Sequence, residues 1–352
     1  MLIGMKISWW ILWLATPLLA IDWVKDPVAF HVTGEAIELT GEGGLGARTA
    51  EEYEDLRLTF DYRLAQWAEA AVVVRAPRYG RPLRAGVAIT LAHDFHKQIT
   101  NYVTGALTGR RPPLTAMPMA FEKWQHVELT LRGTKLRVEI DGVTVQDTTV
   151  ESGLVRGHVL FANLGHRYAV RKVKVEDLGR PTKLVPLFTK LGEQRGGGKF
   201  RLVDGVVVGE NGHGILFDGP RVKDLDLTLY VRPHNRVNAG VFLRGAANEK
   251  QPRGFEVQIY SPPDAVYPTG SVYGMARSVI AQDYEEKWFL LRIRLVGTRC
   301  EVWVDGDAVA STDRLADGTS VLGQVGLQIH SDAAWVEFAQ MQMLVLDPPP
   351  AL

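Results

Sequence analysis

The chain has 352 residues, 40 of them basic and 40 acidic, so its formal net charge is zero. That balance lacks the basic excess that nucleic acid or an anionic membrane surface demands of a main partner. Apolar residues make up 46 %, enough for a globular core, and a single cysteine, Cys300, excludes an internal disulfide framework.

The N-terminus reads as a targeting segment. Lys6 carries positive charge, Ile7 to Leu19 is almost wholly apolar, and Ala20 offers a small residue for cleavage. The apolar run is shorter than the roughly 20 residues a helical membrane span needs. Residues 1–20 are therefore expected to be a signal peptide. The mature chain would start near Ile21, carry no membrane span, and work outside the cytoplasm, secreted or periplasmic.

The remainder is one unit written twice. EAAVVVRAP (Glu69 to Pro77) matches NAGVFLRGA (Asn238 to Ala246), with Arg75 opposite Arg244. AGVAITL (Ala85 to Leu91) matches RGFEVQI (Arg253 to Ile259), and YVTGALTG (Tyr102 to Gly109) matches YPTGSVYG (Tyr267 to Gly274). EKWQHVELTLRGTKLRVEIDG (Glu122 to Gly142) matches EKWFLLRIRLVGTRCEVWVDG (Glu286 to Gly306). Two copies of domain size make a duplicated domain and not a solenoid of small units. Gly179, Pro181 and Pro186 punctuate the boundary. The division expected is a first sandwich over 21–179, a linker over 180–186, a second sandwich over 187–347 and a tail over 348–352.

Both copies read as β. Leu56, Leu58, Phe60 and Tyr62 alternate with polar residues, as do Leu225, Leu227 and Leu229. Glu128 to Ile140 and Leu290 to Val304 look like hairpins turning at Gly133 and Gly297, and Asp141-Gly142 and Asp305-Gly306 are tight-turn dipeptides. With no sustained 3.6-residue period, the expectation is all-β: two tandem antiparallel sandwiches. Cys300, beside Val302 and Val304, reads as core, and Trp124 and Trp288 read as core anchors at equivalent strand starts.

The most informative stretch is GFEVQIYSPPDAVYPTGSVYG, Gly254 to Gly274. Phe255, Val257 and Ile259 form an apolar face, while Glu256, Gln258 and Tyr260 form one able to hydrogen-bond a ligand. After Pro262-Pro263 the chain returns through Tyr267, Thr269, Gly270 and Tyr273. A polar strand followed by an aromatic, glycine-containing loop suits a sugar-sized groove.

The order of an NxGVFLR strand, a GFEVQI strand, PTGxxYG, a hairpin ending VWVDG and a closing GxVGLQIH strand resembles the 3-keto-disaccharide hydrolase domain family. The resemblance covers nearly all of the second copy, Leu187 to Leu346, and the first copy more weakly. It implies two tandem concanavalin-like jelly-roll β-sandwiches, similar to those of laminarinases and pentraxins. It also implies a secreted or periplasmic protein acting on glycosides, in some members ones oxidised at C3.

Strand parity and the resemblance together propose a site. Val241 and Leu243 share one face, leaving Phe242 and Arg244 on the other; Val325, Leu327 and Ile329 point inward, leaving Gln328 and His330. Arg244, Glu256, Gln258, Gln328 and His330 would then line one face, concave by the resemblance. An exposed Arg244–Glu256 ion pair of little energetic weight is the structural alternative. Glu256, Arg244 and His330 are the catalytic candidates. Gln258, Tyr260, Tyr267, Thr269, Tyr273 and Gln328 are the substrate-binding ones, the tyrosines by stacking. The first copy has Ala88 opposite Glu256, Thr90 opposite Gln258, Ala162 opposite Gln328 and Leu164 opposite His330. It reads as a sandwich without the site.

Ordinary glycosidases need two carboxylates across the bond, and this face offers one. Asp264 and Asp332 are further carboxylates with nothing fixing their position. A 3-keto sugar needs only one base. The ketone acidifies the hydrogen at C2, so Glu256 could remove it and expel the C1 oxygen, with Arg244, His330 or a divalent metal polarising the ketone. No cofactor is otherwise implied. His93, Asp94 and His96 have ligand chemistry at short spacing but read better as a surface loop. Arg195 to Lys199 lacks the ending of a phosphate loop. There is no G-x-S-x-G, H-E-x-x-H or CxxC. A glycan-binding module that does not cleave, or a purely structural module, remains the competing class. Export is checked by intact mass: exported protein should begin near Ile21, and exported protein retaining Met1 would remove the signal-peptide reading.

Overall fold

The computed structural model describes residues 21–24, 30–33, 36–40, 45–92, 98–118, 120–245, 254–279, 283–315 and 322–346. The signal segment, the His93–Asp94–His96 cluster and the tail lie outside the described residues.

Alternation builds the first copy as expected. Leu56, Leu58, Phe60 and Tyr62 are buried, and with Leu129, Val138, Val72 and Phe161 they form its core. The front sheet runs in the order Trp23–Val24, Gly46–Thr49, His158–Gly165, Glu69–Ala76, Val87–Ala92. The back sheet runs Val143–Thr149, Lys135–Ile140, Gln125–Arg132, Asp55–Leu64, Tyr168–Gly179, Ala36–Leu39, Phe30–Thr33.

The second copy repeats this arrangement strand for strand. Two strands, Val206–Val222 and Gly323–Val345, are long enough to run through both of its sheets. Its front half pairs Glu193–Gly196, 212–222, 323–331, Ala239–Gly245 and Phe255–Ile259 in that order. Its back half pairs Asp307–Thr312, Arg299–Val304, Phe289–Val296, Leu225–His234, 335–345, 206–210 and Lys199–Val203. Val185–Pro186 also pairs with this half, through Met343 and Gln342. The Asp-Gly turns have positive φ at both residues, 48° and 78° at Asp141-Gly142 and 50° and 86° at Asp305-Gly306, the twist that joins two right-handed strands.

The one charged side chain that both copies keep on this front strand is an arginine, and it is a tie. Arg244 adopts φ +54° at a bulge where the pairing to 323–331 slips between Phe242 and Gly245. Gly323 makes room: a Cβ there would come within 2.2 Å of the Arg244 carbonyl carbon. The bulge turns the guanidinium inward, leaving it 2 % exposed. Nε donates to the Lys223 carbonyl at 2.7 Å, and Nη2 donates to Asp224 Oδ1 at 3.1 Å and to the Gly297 carbonyl at 2.8 Å. Asp224 Oδ1 also accepts the Gly297 N–H at 2.9 Å, pinning the hairpin turn. Arg75 repeats this at φ +51°, bonding the Glu54 carbonyl and Asp55, whose Oδ1 accepts the Gly133 N–H.

The copies dock through the first copy's segment 77–86, which includes the short helix Pro82–Ala85. Tyr79 stacks on Trp288 at 5.2 Å and meets Tyr230 edge-on at 5.3 Å. The Arg78 N–H donates to the Tyr230 hydroxyl at 2.7 Å, and Arg81 pairs with Asp307 at 2.8 Å. Ala85, Tyr230, Leu290 and Ala339 close the contact. Gly80 sits at φ +81° against Asp305, whose Oδ1 would lie 2.0 Å from any Cβ.

Cys300 is core, as expected, and burial pushes its thiol up to about 12. Trp124 and Trp288 are not core anchors. The following residues, Gln125 and Phe289, point inward, so both tryptophans face outward by parity. Trp124 is half-buried beneath Arg63 and Arg171, and Trp288 beneath Tyr79 and Arg232.

Removing one partner of a buried pair leaves the other charge uncompensated. Arg75→Ala and Arg244→Ala should therefore each lower unfolding free energy by about 3 kcal/mol. Lysine should rescue neither, because it cannot bond a carbonyl and a carboxylate in one plane. A wild-type denaturation midpoint for Arg244→Ala would disprove the tie.

Candidate functional site

The front face of the second copy follows from the register. Glu256 lies opposite Phe242, which lies opposite Gly326; Gln258 lies opposite Gly240, which lies opposite Gln328. On the other side of these strands Val241, Val257, Ile259 and Leu327 fill the core. Glu256, Gln258 and Gln328 therefore share a face, as parity indicates.

Gly240 positions the carboxylate. A Cβ on it would lie 2.2 Å from Glu256 Oε1, so the glutamate side chain lies across the bare backbone of the neighbouring strand. Phe242, with Ile215 and Phe217, supplies an apolar floor beside it. Burial pushes the Glu256 carboxyl up to about 7, because the ionised form loses water. With the Gln258 amide turned so that its nitrogen faces Glu256, it donates to Oε1 at 2.9 Å and to the Ala239 carbonyl at 3.2 Å. Gln258 is only 5 % exposed, so this amide supports the carboxylate from below. Gln328 Oε1 is enclosed and has no hydrogen-bond partner among the described residues.

The loop after Phe255–Ile259 folds back along its edge. The Gln258 N–H donates to the Ser271 carbonyl at 2.9 Å and the Tyr273 N–H donates to the Glu256 carbonyl at 2.9 Å. With Val257 bridged to Val272, Tyr273 stands opposite Glu256 on the same face. It is 54 % exposed, and Tyr267 packs on it at 5.2 Å. Sequence parity within one strand could not show this neighbour, because it depends on where the loop closes.

Four candidates stand elsewhere. Arg244 is the buried tie described above: the bulge breaks the two-residue period on which its placement on this face rested. Thr269 is a loop clamp. It is buried, and its hydroxyl accepts the Tyr260 N–H at 3.0 Å and meets the Ser261 hydroxyl at 3.3 Å. Thr104 closes the equivalent loop of the first copy on Ala92. His330 has the expected parity but the wrong register. It packs on His213 at 4.2 Å, beside Asn238. That is four residues along the strands and two strands across from Glu256, so roughly 16 Å separates the backbones. Tyr260 lies toward the same end, in a recess with Arg236, Pro262, Pro268 and Arg277. No group of three His, Cys, Asp or Glu side chains gathers as a metal-binding set among the described residues.

Residues that the sequence reading missed are Gly240, Asn238 and His213, whereas Phe242 lies on the face that strand parity gives it. The repeat carries a signal for Gly240 and Phe242, since the first copy has Ala71 and Val73 there. In that copy Ala71, Val73, Ala88, Leu160 and Ala162 are all buried, with Leu83 packed on them. Its front face is closed by small apolar side chains where the second copy keeps polar ones.

A profile of the 3-keto-alpha-glucoside-1,2-lyase-like domain matches twice, over residues 19–176 and 188–343. Similar solved structures include a candidate glycosyl hydrolase from Parabacteroides distasonis, 14 % identical, covering 43 % of this chain and 84 % of that one, with TM-score 0.38. A carbohydrate binding module from Bacillus subtilis is 16 % identical, covering 45 % of this chain and 97 % of that one, with TM-score 0.34. No curated protein matches the chain. Matched over most of its length, the chain belongs to the 3-keto-alpha-glucoside-1,2-lyase-like domain family, which is carbohydrate-related, and carries that domain as two tandem copies.

Proposed function

We propose that this is an exported carbohydrate-active protein whose second copy cleaves glycosidic bonds of 3-keto disaccharides or related glycosides, using Glu256 as base. The observation that carries this reading is the desolvated Glu256 carboxyl, raised to about 7 and laid across Gly240 on the polar face. A base with a pKa near the working pH combines a useful ionised fraction with real basicity. In a 3-keto glycoside, Glu256 takes the proton from C2. The electron pair forms the C1–C2 double bond as the C1–oxygen bond breaks, and the leaving oxygen is protonated to an alcohol. Water adds to the resulting enone in a later step. Tyr273, directly opposite Glu256, is placed to donate to the ketone or leaving oxygen. Gln258 holds the base, and Gln328 lines the same face. His330 is too distant to share the ketone with Glu256 and would meet the far end of a longer ligand.

The test is cleavage of plain and 3-keto disaccharides, with and without EDTA. Cleavage should be confined to the 3-keto sugar and rise with pH through about 7 as Glu256 ionises. Glu256→Gln should lower it roughly a hundredfold or more, the scale of losing a general base. Full turnover by Glu256→Gln would reject the base. Tight binding of both sugars with no cleavage of either would favour a binding module instead.

Stability supplies an independent check. The folded-state pKa lies above the ordinary 4.5, so wild-type stability is full below pH 4.5 and falls as pH rises through about 7. Glu256→Gln removes that loss. Its unfolding free energy should match wild type at acid pH and exceed it by on the order of 1–3 kcal/mol above about pH 8. A variant less stable than wild type at alkaline pH would contradict the desolvated carboxylate.

A further inference from the structure

The outer, back-sheet faces of the two copies differ as much as their front faces do. In the first copy this face is ordinary solvated charge: Arg57 pairs with Glu128 at 2.7 Å and Arg137 with Asp147 at 3.0 Å. Glu139 and Glu176 complete it. At the positions of Glu139 and Glu176 the second copy has Trp303 and Leu344, by the same strand pairings. The duplicated fold therefore needs neither a tryptophan nor a leucine there. Docking of the copies does not explain Trp303 either. The apolar contact between them is made by Tyr79, Ala85 and Leu154 of the first copy and Val206, Tyr230, Trp288, Leu290 and Ala339 of the second, and Trp303 is not among them.

Trp303 instead stands in the wall of a cleft of about 500 Å³ between the two sandwiches. The second copy contributes Trp303, Arg294, Glu301, Thr228, Gln342 and Leu344. The facing wall is the first copy's turn at Gly133-Thr134 and its segment 150–155. The floor is fixed across both copies. Arg292 holds Asp226 with two bonds, 2.9 and 2.7 Å, donates to the Ser152 carbonyl at 3.0 Å, and lies 4.9 Å from the Trp303 ring centre. Ring and guanidinium are thus held in place before any ligand arrives. Three arginines and four carboxylates line the cleft, so its charge nearly cancels and a neutral ligand suits it better than an ion. An aromatic ring, planar donors in Arg294 and Gln342, and acceptors in Glu301 and Glu151 match the alternating C–H faces and hydroxyl edges of a sugar. The volume falls in the range of small-ligand sites.

We propose that this cleft is a second carbohydrate site, separate from the Glu256 face, which holds a neutral glycan against Trp303. It requires neither Glu256 nor the elimination chemistry, so either reading can fail while the other stands. Cellotriose, laminaritriose and maltotriose are titrated at micromolar to millimolar concentration against the full chain carrying Glu256→Gln, followed by calorimetry and tryptophan fluorescence. At least one should bind with a change in fluorescence. Adding Trp303→Glu, the residue type the first copy carries there, should weaken that binding roughly tenfold or more, the usual loss for a buried tryptophan anchor. Arg294→Ala should weaken it in the same direction, and both variants should keep the unfolding midpoint. Adding Gln328→Ala should leave it unchanged. The proposal is overturned if none of the three trisaccharides binds, or if binding survives Trp303→Glu and is lost with Gln328→Ala.

Discussion

The register of the front strands rests on one buried ion pair in each copy. Taking a guanidinium and a carboxylate out of water is costly, and the cost is recovered only when every donor finds a good acceptor. Here the arginine reaches the carbonyls of Lys223, just before a back-sheet strand, and of Gly297 in the hairpin turn, and the aspartate also receives that turn's N–H, so one pair binds a front strand to the end of the back sheet. A slip of one residue would exchange the two faces of the strand. The identity of the groove-facing side chains therefore depends on a residue that does not face the groove.

The two copies show what such a scaffold permits. Core-facing positions are constrained alike in both, whereas the outward positions have diverged. In one copy small apolar residues close the front face; in the other, a missing side chain at Gly240 leaves the space a carboxylate occupies. Desolvation, and not a neighbouring charge, then raises Glu256. Its basicity is a property of the hollow as much as of the residue.

Much of this was legible in the sequence. The repeat, the alternation of Leu225, Leu227 and Leu229, the Asp-Gly turns and the shared face of Glu256, Gln258 and Gln328 all follow from period two and turn chemistry. Arg244 was not legible, because a left-handed non-glycine residue at a bulge resets the period and leaves no mark in composition. His330 was assigned the right face and the wrong end, since parity gives the side of a strand but not its offset against the next. Tyr273 and Thr269 depended on how a loop closes: one comes to face the carboxylate, the other turns inward to hold the loop. The outward tryptophans show that a conserved repeat position need not be a core position.

The seam between the copies has a further consequence. Two free proteins meeting through one stacked ring pair, one ion pair and a few apolar side chains would lose most of that gain to the entropy of association. Joined by a short connection, the copies meet at an effective concentration far above that of free partners. A modest contact can then stay closed, and either copy can change its surface without the two drifting apart. Duplication within one chain thus supplied the second sandwich with a permanent neighbour, and shaped surface between them that neither copy has alone.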